Sequence, residues 1–116
     1  MAASALKLLS LSGDGIGPEI VQATKTVLTA LTQSCALQIA WEDMEIGLSA
    51  LKASGSTIPD TVITAEKEVD GVLPGPVSHN VYPPVSAGGL NPSGVLRREL
   101  KLFENSRPAL SLEALP

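Results

Sequence analysis

Three observations predict an α/β fold. A short aliphatic run, residues 6–11, stops at a glycine-rich turn; an amphipathic helical pattern follows; an alternating apolar segment comes after it. Strand, turn, helix, strand is the opening of a βαβ unit, and such units build parallel sheets. With 116 residues the chain fits one domain. Its core must be aliphatic, because Trp41, Tyr82 and Phe103 are the only aromatic residues.

Each element has a local cause. Leu6, Leu8, Leu9 and Leu11 make a short run suited to a buried strand. Ser12-Gly13-Asp14-Gly15-Ile16-Gly17 breaks it with turn-forming residues. Pro18 then stands where a first-turn proline loses no hydrogen bond, and Glu19 complements the positive helix end. Ile20, Val21, Val27, Leu28 and Leu31 share one helical face, so a helix is predicted to about Thr32, burying that face. Leu37, Ile39 and Trp41 alternate with polar neighbours and predict a second strand.

The middle is predicted as two short helices, residues 48–53 ahead of Gly55 and residues 59–68 with Val62, Ala65 and Val69 on one side. A brief strand at Val72-Leu73 is stopped by Pro74-Gly75-Pro76. Residues 74–92 hold five prolines and three glycines, too many for a helix or a central strand. Long loops of this kind in compact domains commonly carry function. Asn91 as N-cap and Pro92 at the first position start a last helix. It is expected to bury Leu96, Leu100 and Phe103 and to end near Ser106, since Pro108 disfavours helical geometry at Arg107. Leu110 and Leu112 alternate beyond it.

Composition removes several function classes. The formal net charge is −4, and the basic residues are scattered apart from Arg97-Arg98. Nucleic acid is therefore not expected as a partner, because backbone binding needs a basic field. No apolar run is long enough for a membrane span, and no membrane partner is expected. One cysteine, Cys35, rules out an internal disulfide and a cysteine-rich zinc site. The first residues run straight into the strand pattern without arginine, so no targeting leader is read there. A cytoplasmic location is expected, with a mitochondrial one left open.

Three features could carry chemistry. The Gly13–Gly17 turn invites a phosphate-binding reading, but Pro18 stands where a dinucleotide fingerprint needs glycine, and no Gly-Lys-Ser/Thr follows. Asp14 and Glu19 also put carboxylates where a phosphate would sit, so a tight strand-to-helix turn is favoured on residue chemistry alone. Arg97 and Arg107 are the second feature: planar guanidinium forks suit carboxylates, while the plainer alternative is a solvated face pairing with Glu99 and Glu104. His79 is the only histidine and has no cysteine or histidine cluster to complete a metal site. No Gly-x-Ser-x-Gly elbow supports a hydrolase.

Gly13-Asp14-Gly15-Ile16-Gly17-Pro18-Glu19 after an aliphatic strand resembles the opening of the isocitrate/isopropylmalate dehydrogenase family, the β-decarboxylating dehydrogenases. The resemblance continues through Asp70-Gly71-Val72-Leu73 and Gly75-Pro76-Val77-Ser78-His79. It extends to Leu96-Arg97-Arg98-Glu99-Leu100-Lys101-Leu102-Phe103 and Arg107-Pro108-Ala109. Two separated motifs in the right order are more specific than either alone. Departures are Pro74 for a small residue, Ser12 where proline is common, and Glu104 and Ser106 for small or aliphatic residues.

The resemblance implies the first half of a large α/β domain, an incomplete sheet flanked by helices, with the second domain and C-terminal strands absent. It implies oxidation and decarboxylation of a malate-type 2-hydroxy acid, 3-isopropylmalate- or isocitrate-like, with NAD or NADP and magnesium or manganese. By position, Arg97 and Arg107 would grip substrate carboxylates, Asn91 and Ser93 would touch substrate or nicotinamide, and Ile16 would lie close to the cofactor. The family's catalytic tyrosine and lysine and its metal-binding aspartates map to no residue here, so no catalytic or metal residue is assigned. A full-length member would be a homodimer, and the isolated chain is expected to be inactive. The alternative is a non-catalytic interaction protein that binds a full-length family member; an unrelated small anion-binding domain is a third possibility.

Overall fold

The computed structural model describes residues 5–112 and Ala114. Three strands and four helices follow one another: β1 (Ala5–Leu11), α1 (Gly17–Ser34), β2 (Gln38–Met44), α2 (Leu48–Ser54), α3 (Asp60–Glu66), β3 (Gly71–Pro74) and α4 (Pro92–Glu99). Two single-turn 3₁₀ segments, His79–Val81 and Val85–Ala87, interrupt the proline-rich loop. The sheet runs β2-β1-β3, and both pairings are parallel. Ala5 is opposite Gln38, and Leu8 is opposite Gly71. The predicted α/β class is the observed one.

This strand order places β1 in the middle: the connection through α1 runs from β1 to β2 on one side, and the next runs from β2 back past β1 to β3 on the other. Such a reversal sends successive crossovers to opposite faces of the sheet. The packing agrees. Leu9 and Leu11 of β1 are fully buried with Ile46, Ile58, Val62, Val95 and Leu96, a core to which α1 contributes nothing. On the other face Ser10 donates to Asp43 Oδ1 at 2.8 Å, and Lys25 of α1 bonds the same oxygen at 2.5 Å. Lys25 also lies over the Trp41 ring, 4.9 Å from its centroid.

Two expectations are corrected. The face of α1 is mostly uncovered: Val21 is buried, but Ile20, Val27 and Leu31 are exposed. An 18-residue helix is about 27 Å long and outruns the three strands beneath it, whose face toward α1 is partly polar. Helix α4 ends at Glu99, well before Ser106. Lys101 takes a left-handed conformation (φ 52°). Its N–H donates to the Arg98 carbonyl at 3.1 Å, and the Leu102 N–H donates to the Arg97 carbonyl at 3.0 Å. That pair of bonds is a Schellman closure, usually built on glycine. Leu96 is buried and Leu100 half-buried, but Phe103 lies beyond the closure and is 98% exposed.

The proline-rich loop is tied down at two places. Buried Thr57 donates its hydroxyl to the Leu90 carbonyl at 2.6 Å and its N–H to the Gly88 carbonyl at 3.0 Å. The other anchor is Asp14.

Candidate functional site

The site is built at the carboxyl ends of β1 and β3, where the strand order reverses. In open α/β sheets ligands bind in the crevice at such a point. The turn after β1 is closed by the Gly17 N–H donating to the Asp14 carbonyl at 2.8 Å, and the Asp14 N–H donates to the Pro76 carbonyl at 2.8 Å. Gly13 permits this approach: its φ is +74°, and a Cβ there would strike the Pro76 carbonyl.

The Asp14 side chain points inward and is 6% exposed. Its carboxylate accepts the Leu48 N–H at 2.7 Å, the Ser78 N–H at 2.9 Å and the Tyr82 hydroxyl. One carboxylate thus caps α2, fixes the strand β3 exit loop and holds the first 3₁₀ segment. Gly47, at the N-cap of α2 with φ +84°, leaves the room: a Cβ there would meet the carboxylate. Burial works against the Asp14 charge, yet the bonds from Tyr82, Leu48 and Ser78 outweigh it and hold the carboxyl below its ordinary range. Burial and the same bond to Asp14 raise the Tyr82 hydroxyl well above its usual value. A buried anion under the turn opposes a phosphate, and the loop is a tight strand-to-helix turn.

The second part of the site is α4. Asn91 occupies its N-cap position, but its side chain makes no capping bond. Ser93 and Arg97 are one turn apart, and Arg97 Nη2 donates to Ser93 Oγ at 3.0 Å. The exposed guanidinium keeps its remaining donors free of any ion pair among the described residues. Glu99, one of the two acids that the solvated-face alternative offered as partners, is instead near Lys67 at 3.7 Å and Arg98 at 3.8 Å. Ser93 and Arg97 line an open cleft of about 450 Å³ between α3, β3 and α4.

Among the five residues predicted for the site, Asn91, Ser93 and Arg97 share the first two turns of one helix. Arg107 does not join them: it is exposed, eight positions past Glu99, and its Nε donates only to Asn105 Oδ1 at 3.3 Å. A helix running to about Ser106 would have brought Arg107 to its end, but α4 stops at Glu99. Ile16 stands at the N-cap of α1 with an exposed side chain. His79 is exposed in the first 3₁₀ segment.

Sequence reasoning missed three residues. Asp14 was weighed only as an obstacle to phosphate, although an acid between two glycines at a strand end must find donors if buried. Tyr82 is its main side-chain donor, and a lone tyrosine in a proline-rich loop was the available signal. Glu66 left no signal, since it lies at a helix position that reads as ordinary. It is 2% exposed, and burial raises its pKa. Among the described residues no three His, Cys, Asp or Glu side chains cluster as metal ligands. No helix described is long and apolar enough to cross a membrane.

Comparison with known proteins fits this architecture. The sequence model of the isocitrate/isopropylmalate dehydrogenase family matches residues 7–116. The 3-isopropylmalate dehydrogenase of Acinetobacter baylyi is 39% identical over 106 residues, which is 90% of this chain and 30% of that protein. The Streptococcus pneumoniae enzyme of the same name is 32% identical over 111 residues, 96% of this chain and 32% of its own length. A crystal structure of a β-decarboxylating dehydrogenase from Thermococcus kodakarensis superposes with a TM-score of 0.67 at 28% identity, covering 84% of this chain and 27% of that one. The chain thus spans about a third or less of the relatives it matches. With the turn after β1, the β3 exit and α4 all inside one family match, the chain belongs to the isocitrate/isopropylmalate dehydrogenase family.

Proposed function

We propose that this chain supplies part of the substrate-binding wall of an NAD(P)-dependent enzyme that oxidises and decarboxylates a malate-type 2-hydroxy acid of the 3-isopropylmalate or isocitrate kind. The observation that carries the reading is the Ser93–Arg97 pair on α4 within a family match over residues 7–116. The serine steadies one side of the guanidinium, and the free donors suit one substrate carboxylate. Asn91 leaves its side chain available at the same helix start. Arg107 would hold a second carboxylate once the segment after α4 is ordered against the rest of the site.

The cofactor would accept hydride from the substrate hydroxyl carbon. Among the described residues Ile16 would offer the cofactor exposed apolar surface; the turn beneath does not fit a phosphate, because Asp14 already fills it with negative charge. The described residues do not assemble a magnesium or manganese site. The isolated chain binds the hydroxy acid weakly and does not turn it over. A second reading, a non-catalytic protein that docks on a full-length family member, is favoured by the open edge of β3 and the uncovered face of α1.

One experiment separates them. Residues 7–112 replace the matching segment of the Acinetobacter baylyi enzyme, and reduced cofactor is followed with 3-isopropylmalate and with isocitrate. An active chimera is expected, and Arg97→Ala in it lowers kcat/KM by about a hundredfold or more. A soluble, folded chimera inactive on both acids overturns the dehydrogenase reading and leaves the docking one.

A further inference from the structure

Thr57 lies in the connection between α2 and α3 and is fully buried. Each of its polar atoms has a partner in another segment. Its carbonyl accepts the Gly47 N–H at 2.7 Å, and its N–H donates to the Gly88 carbonyl at 3.0 Å. Its hydroxyl donates to the Leu90 carbonyl at 2.6 Å, with the Gly88 carbonyl 3.2 Å away.

These bonds join two parts of the site. Gly47 is the N-cap of α2, and the next residue, Leu48, donates its N–H to Asp14 at 2.7 Å. Leu90 directly precedes Asn91, the N-cap of α4. Thr57 thus stands between the Asp14 anchor and the helix that carries Ser93 and Arg97. Val95 and Leu96 seat that helix in the core by apolar contact, which is non-directional. The Asn91 side chain makes no capping bond, so the directional bond at the start of α4 comes from the Thr57 hydroxyl. The approach is close: a Cβ on Gly88 would strike the Gly55 carbonyl.

We propose that Thr57 is a positioning residue for the hydroxy acid. Through its hydroxyl it sets the start of α4, and so the place from which Ser93 and the Arg97 guanidinium meet a substrate carboxylate. The inference rests on the dehydrogenase reading and adds a residue to it that has no exposed surface and touches no substrate itself. Valine has the same shape and keeps both main-chain bonds, but it leaves the Leu90 carbonyl without this donor. Serine keeps the donor.

The test has two arms. In the chimera with the Acinetobacter baylyi enzyme, Thr57→Val raises KM about tenfold for whichever of 3-isopropylmalate and isocitrate is oxidised, and kcat changes by less than about twofold. Thr57→Ser keeps KM near that of the unsubstituted chimera. In an Arg97→Ala background Thr57→Val has no further effect, because the group it positions is gone. A residue that only held the fold together would lower the folded fraction, and with it the apparent kcat, at unchanged KM. An unchanged KM, a serine variant as impaired as the valine one, or the same effect with and without Arg97 overturns the proposal. The second arm is amide exchange in the 116-residue chain. The Val95 N–H donates to the Asn91 carbonyl at 3.1 Å and reports the first turn of α4. Its exchange quickens about tenfold in Thr57→Val and not in Thr57→Ser, while Leu48 and Ser78 stay unchanged. Exchange at Val95 indifferent to the valine variant also overturns the proposal. This arm needs no turnover, so a folded but inactive chimera overturns the dehydrogenase reading and the role toward substrate, and exchange alone then decides whether Thr57 holds α4.

Discussion

Replacing Asp14 by alanine removes the acceptor of three bonds at once. The Leu48 N–H, the Ser78 N–H and the Tyr82 hydroxyl then face a void where the carboxylate was 6% exposed. Hydrogen bonds to a charged partner contribute about 1.5–3 kcal/mol each. The three share one acceptor and water can reach some of the freed donors, so the loss should be about 3–5 kcal/mol. That is a large part of the total stability of an ordinary domain, about 5–15 kcal/mol. Urea unfolding followed by circular dichroism measures the loss, and amide exchange at Leu48 and Ser78 locates it. A loss below about 1 kcal/mol, or unchanged exchange at both amides, would refute the anchoring role. The pH dependence has a definite sign. The native Asp14 carboxyl lies below its unfolded value, so its contribution is complete above the unfolded pKa, near ~3.9, and is lost as pH falls through the lower native one. Asp14→Asn flattens that acid limb.

Three further predictions use the same measurements. Lys101→Gly should stabilise the chain by about 0.5–1 kcal/mol, because glycine takes the left-handed closure of α4 without the Cβ penalty that lysine meets at φ 52°; no gain in urea midpoint would contradict the closure. Gly47→Ala should cost about 2 kcal/mol or more, since it combines φ +84° with a Cβ driven into the Asp14 carboxylate. Glu66→Leu should stabilise the chain most at neutral pH, where the buried carboxylate without a donor costs most. The native Glu66 carboxyl lies above its unfolded value, so the wild type loses stability as pH rises through that interval, and the leucine variant does not.

The order of elements was legible because each has a local cause. The strand at residues 6–11, the proline start of α1, the alternation at Leu37, Ile39 and Trp41, and Gly55 behind α2 all act within a few residues of themselves. The end of α4 was not legible: a left-handed lysine closes it, where a sequence reading waits for glycine or for the proline at 108. The stripe on α1 gave the helix correctly and its burial wrongly, since periodicity shows which residues share a face and not whether anything covers it. Asp14 escaped for a different reason. Its three donors lie 34, 64 and 68 residues away, so its role exists only after the sheet has assembled. Ser93 and Arg97 were each named through the resemblance, but not as a pair; their bond follows from lying four residues apart on one helix. Arg107 depended on a helix length that the chain does not have.

Asp14 and Glu66 are both buried carboxyls, and their environments drive them in opposite directions. Asp14 has two backbone N–H groups and a phenol aimed at it, so its charge is the favoured state and the loops around it are rigidly referenced to β1. Glu66 has none, so its charge is tolerated only while something else repays it. The contrast divides the molecule. The carboxyl ends of β1 and β3 are finished within the chain, with every bond of the anchor supplied by its own loops. The flank of β3 toward α3 and α4 is not: it combines an edge strand, an apolar wall and a carboxylate without a donor. Replacing Glu66 by leucine should remove the penalty of that buried charge without touching the anchor at Asp14.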